Sequence, residues 1–67
     1  MTNIDALKSA IEQSGLSITY IAEKTGIARE TMYNRFKTGD FKLSEIDALT
    51  AVLRLGRDGR DSIFFAE

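Results

Sequence analysis

Ile21-Ala22-Glu23-Lys24-Thr25-Gly26-Ile27 is the stretch that decides the fold. Two helices cross steeply at close range only where the residue beneath the crossing is small, and Ala22 is that residue here. Four positions on, Gly26 takes the positive φ that a three- or four-residue turn between the helices demands. Ile21 and Ile27, with Met32 and Phe36 further along, then close the corner around the alanine. A corner of this kind is a helix-turn-helix, with its core at about residues 17–37, and it projects its second helix from the protein surface.

Outward from the corner, Gly15, Gly26, Gly39 and Gly56 divide the chain at near-regular intervals, each after a stretch with helical apolar spacing. The first stretch puts Ile4, Leu7 and Ile11 on one stripe, with Thr2 and Asp5 as a capping-box-like start and Gly15 as its stop. The second starts at the hydroxyl of Ser17 and puts Ile18, Ile21, Ala22 and Thr25 on one face. The third, about Ala28 to Lys37, buries Met32 and Phe36 and turns Arg29, Glu30, Tyr33, Asn34 and Lys37 outward. The fourth, about Leu43 to Arg54, points Ile46, Leu49, Val52 and Leu53 inward; Ser44 with Asp47 and Lys42 with Glu45 are alternative caps. Residues 57–65 read as a short fifth helix that closes the core with Ile63-Phe64-Phe65, weakened by Gly59, with a short strand as the competing reading. The expected fold is all-α: a compact bundle of about five short helices forming one domain over residues 1–67.

Composition narrows the chemistry. The 67 residues are 43% hydrophobic, enough for a small core, and contain no Cys, His or Pro. Disulfides, zinc clusters and imidazole catalysis are excluded, and no cofactor is implied. No apolar run approaches the roughly 18 residues of a membrane span. Residues 1–15 carry Asp5 and Glu12 without a signal-peptide core, so the expected location is cytoplasmic. Asp58 and Asp61 lie one helical turn apart, but no nucleophile–base pair or phosphate-cradling glycine loop accompanies them. A binding module is expected, not an enzyme, and no small-molecule ligand is evident. Net charge is −1, distributed as −1 over residues 1–16, +2 over 17–42 and −2 over 43–67, so only the middle third is positive.

Leu16-Ser17 through Gly39 resembles the helix-turn-helix of the Cro and lambda-repressor-like family, common among temperate-phage regulators. Ser17, Ile21, Ala22, Gly26, Ile27, Met32 and Gly39 stand at that family's offsets. The first and fourth helices and the closing Ile63-Phe64-Phe65 extend the resemblance over nearly the whole chain. It implies a transcriptional regulator in a bacterial host, phage- or prophage-encoded, whose third helix lies in the major groove of a double-stranded DNA operator. Arg29, Glu30, Tyr33 and Asn34 match the family's base-reading positions; Ser17, Thr19, Lys37, Thr38 and Lys42 match its phosphate contacts. Side-chain chemistry agrees in part: Arg29 suits guanine O6 and N7, Asn34 suits adenine N6 and N7, and Glu30 can accept from cytosine N4. Free N–H groups at a helix start, as after Ser17, can face a phosphate.

Three positions depart from the family's pattern. Ile18 replaces a polar residue, Thr25 an aliphatic one, and Ala28 a capping side chain worth roughly 1 kcal/mol. One helix reads few base pairs, so a homodimer is expected, at least on DNA, with Ile63, Phe64 and Phe65 as a candidate contact surface. Arg35 is expected in an intramolecular ion pair, and Lys8, Arg54, Arg57 and Arg60 in solvent. The alternative function is an antirepressor or modulator whose helix-turn-helix surface binds a partner repressor protein. Glu30, the low net charge and the apolar or aromatic Ile18, Tyr20 and Tyr33 favour it.

Overall fold

The computed structural model describes residues 1–66, which form five helices and no strand. They are α1 (Ile4–Ser14), α2 (Ile18–Thr25), α3 (Arg29–Thr38), α4 (Leu43–Val52) and α5 (Arg57–Phe64). The segment after Gly56 is therefore helical, and Gly59 is accommodated inside it. No helix among the described residues is long and apolar enough to cross a membrane.

Leu7, Ile11, Ile21, Ala22, Ile27, Met32, Ile46, Leu49, Ile63 and Phe64 make one core drawn from every helix and from the α2–α3 turn. α2 packs on α4 and α1 on α5, whereas α3 has α2 as its principal partner helix. That leaves α3 at the periphery of the bundle. Its bond to the body is completed by aromatic rings: Phe36 lies 6.4 Å from Phe41, and Phe41 meets Phe64 at 5.6 Å, while within α3 Tyr33 meets Phe36 edge-on at 5.9 Å.

Local chemistry explains most helix ends. Ser17 Oγ accepts from Tyr20 N at 3.0 Å and starts α2. Ala28 starts α3 without a side-chain bond, as an apolar residue must. At α4 the Lys42 N–H donates to Glu45 Oε1 at 2.9 Å, and Lys42 has no acceptor to complete the reciprocal half of a capping box. This selects Lys42 with Glu45 over Ser44 with Asp47.

Three sequence expectations need correction. α1 is capped by Asn3, whose Oδ1 accepts from Ala6 N at 3.1 Å, and not by Thr2. Thr2 is buried in an extended segment tied to α5, where Asn3 N donates to Ile63 O at 2.6 Å. α4 stops at Val52, two residues early. Arg54 N donates to Ala51 O at 3.2 Å and Leu55 N to Thr50 O at 2.9 Å, a Schellman closure with Arg54 at φ 54° in the position glycine usually holds. Leu53 and Arg54 thus belong to a turn. Arg60 is half-buried rather than solvated: its guanidinium bonds Asp61 at 3.2 Å and lies 5.8 Å from the Phe65 ring centre.

Candidate nucleic-acid interface

The turn between α2 and α3 has three residues, Gly26, Ile27 and Ala28, and every one has a task. Gly26 ends α2 at φ 76°, with its N–H donating to Ala22 O at 3.0 Å. Ile27 is buried and anchors the turn to the core. Ala28 supplies the carbonyl for Met32 N at 2.9 Å, the first bond of α3. Thr25 explains its own departure from an aliphatic. Its hydroxyl donates to Ile21 O at 2.7 Å and accepts from Ile27 N at 3.3 Å, lacing the end of α2 to the turn.

Beyond the turn, Met32 is fully buried and Phe36 half-buried, so the opposite side of α3 faces outward. Arg29, Glu30, Tyr33, Asn34, Lys37 and Thr38 are all exposed. At about 100° per residue these six share a continuous half of the helix circumference. Among the described residues no ion pair or side-chain bond ties up Arg29, Glu30, Asn34 or Lys37. Ser17 and Thr19 are exposed at the start of α2. Ile18 between them shares a groove with Tyr33 and Lys37, so the start of α2 and the outer face of α3 adjoin.

Arg35 is withdrawn from this face. Its guanidinium bonds Glu45 through Nε at 3.0 Å and Nη2 at 3.4 Å, with both side chains largely shielded. Burial alone would raise the Glu45 pKa; the Arg35 bond, the Lys42 N–H and the charges of Arg35 and Lys42 outweigh it and hold the carboxyl below its usual value. The pair locks the start of α4 against the flank of α3, with a consequence for the expected phosphate contacts. Lys37 lines the groove with Lys8 and Ile18, whereas Lys42 lines another with Gly26, Ala28, Thr31 and Arg35. The two lysines, both exposed, thus line different grooves. Thr38, exposed at the end of α3, has its Oγ1 accepting from Asp40 N at 3.2 Å.

Ile63 and Phe64 are 6% and 3% exposed, which corrects their assignment to a dimer surface: both are core, and Phe64 holds Phe41. Phe65 alone of the three is exposed. Phe41 was not singled out by sequence patterning; an aromatic residue five positions beyond Phe36 in a loop is the signal it left. No cluster of His, Cys, Asp or Glu among the described residues is placed to hold a metal ion. No family model, curated protein or solved structure matches the chain.

Proposed function

We propose that this chain is a sequence-specific DNA-binding transcriptional regulator of the Cro and repressor type, with α3 in the major groove of an operator. The observation that carries the proposal is the exposed outer half of α3, where Arg29, Glu30, Asn34 and Lys37 make no side-chain bond among the described residues, beyond a short glycine turn and backed by the fully buried Met32. Arg29 and Asn34 supply bidentate chemistry for guanine and adenine; Glu30 adds discrimination by accepting from cytosine and repelling misplaced phosphate. Lys37 and Lys42, exposed and lining different grooves, are available as cations for phosphate. Ser17 and Thr19 add hydroxyl and amide donors at the start of α2.

The longest dimension is 28 Å, shorter than the roughly 34 Å between successive half-sites, so one copy reads one half-site and two copies are required. The role is binding, not catalysis, and its setting is the cytoplasm of a bacterial or prophage-carrying cell. Fluorescence anisotropy with duplexes from the gene's own flanking DNA tests it. Arg29→Ala and Asn34→Ala each lower operator affinity by about 1–3 kcal/mol and relax preference at one base pair. Lys37→Ala weakens all duplexes alike and reduces the salt slope by about 0.9. Equal affinity for flanking and scrambled duplexes refutes the assignment.

A further inference from the structure

The groove beside the outer face of α3 has a composition that DNA does not account for. Its α1 wall is Lys8 and Ile11, its α3 wall is Tyr33, Phe36 and Lys37, and Ile18 of α2 closes it. The volume is about 360 Å³. Four of the six residues are apolar or aromatic, the other two are cations on opposite walls, and none is acidic. A phosphate backbone would satisfy Lys8 and Lys37 but would leave the half-buried Ile18 and Phe36 facing charge. The groove is partly open to solvent, unlike sites that bury 70–90% of a small molecule. Its chemistry matches a segment with apolar side chains along one face and carboxylates on both edges, in the helix-in-groove mode.

We infer that this groove binds an acidic amphipathic helix of a partner protein, and that the bound helix excludes DNA. Exclusion follows from shared residues, because Tyr33 and Lys37 belong both to the groove and to the outer face of α3. The exclusion clause rests on the DNA-reading proposal above; the groove itself does not. Ile18 thereby acquires a role. An aliphatic residue between the exposed Ser17 and Thr19 is a poor phosphate contact and a good apolar anchor point.

The probe is a synthetic amphipathic peptide of about 14 residues with Leu and Phe on one face and Glu along both edges, titrated into the full chain by NMR. A control peptide has every Glu replaced by Lys. Saturable shifts at Ile11, Ile18, Tyr33 and Phe36 with the acidic peptide, and none with the basic one, are expected. Lys8→Glu weakens the acidic peptide about fivefold and gains binding of the basic one, a swap that a merely destabilised fold does not reproduce. Ile18→Glu, at the first position of α2 where an acid favours the helix, abolishes peptide binding. In a competition arm, the acidic peptide displaces labelled operator duplex.

Shifts that map elsewhere, equal binding of both peptides, or simultaneous binding of peptide and duplex overturn the inference. Concentration-dependent shifts at the same residues in the protein alone also overturn it, by showing that a second copy fills the groove. Peptide binding without any operator preference supports the groove and counts against the DNA-reading proposal alone.

Discussion

Replacing Gly26 with alanine isolates the backbone requirement of the turn that presents α3. Gly26 sits at φ 76°, and a Cβ built there meets no atom within 4 Å. Steric clash is therefore absent, and the cost is conformational. A side chain in the left-handed region costs about 1–2 kcal/mol, and alanine returns about 0.4–1 kcal/mol by restricting the unfolded chain. The net loss is about 1 kcal/mol, against a total on the order of 3–10 kcal/mol for a chain of this length. Thermal unfolding followed by circular dichroism should show the midpoint falling by about 4–8 °C. Gly26→Asn, whose short side chain tolerates the left-handed region, should recover part of the loss. A Gly26→Ala protein as stable as the parent would refute the claim that the turn depends on a left-handed residue, and with it the physical basis for holding α3 outward.

Arg54→Gly is the mirror experiment: it relieves the left-handed arginine that closes α4 at φ 54°, and chemical denaturation should show a gain of about 0.5–1 kcal/mol. Phe64→Ala empties the site against which Phe41 packs and should cost about 3–5 kcal/mol, enough to leave a large unfolded fraction at ambient temperature. Glu45 is held below its ordinary value of 4.5, so the folded state binds fewer protons there than the unfolded chain. Its contribution is fully present above about pH 5 and is lost as pH falls through the lowered folded-state value. Glu45→Gln, which keeps an acceptor for Lys42 N–H, should remove that increment from the denaturation-versus-pH curve.

The parts of the structure legible in sequence are those set by short-range chemistry. Ser17, Gly26 and the alternation around Met32 each act within a turn or two of their own position, and the outer face of α3 follows from what Met32 and Phe36 bury. Illegible features depend on contacts between distant segments. Asn3 is the better cap by type and takes that place, while the bond from Asn3 N to Ile63 O, sixty residues away, ties the segment of Thr2 to α5 in a way sequence spacing does not show. Ile63 and Phe64 close the core, as their helical spacing suggests, and only Phe65 of the apolar triplet stays exposed. α4 ends at Val52 and is closed by the left-handed Arg54, so Gly56, two residues beyond that arginine, is a misleading stop signal. Lys37 and Lys42 are close in sequence, yet they line different grooves, with the Arg35–Glu45 pair beside Lys42.

That separation also bears on how a chain of net charge −1 would hold DNA. Non-specific binding is almost wholly electrostatic, and each neutralised phosphate adds about 0.9 to the salt slope. With Lys37 and Lys42 as the phosphate-contacting cations, one copy has a slope of about −2 and two copies about −4. Affinity for random duplex is then low, which leaves discrimination to Arg29 and Asn34, at about 1–3 kcal/mol each. Few phosphate contacts cost affinity but keep the ratio of operator to random DNA high, because the term they omit is common to both. A dimer doubles reading heads and phosphate contacts alike, so the ratio of operator to random DNA rises through the specific term alone. A measured slope much steeper than −4 would mean that Lys8, Lys24 or the arginines of the α4–α5 region also meet phosphate. DNA would then lie across a broader surface, and docking through α3 alone would be wrong.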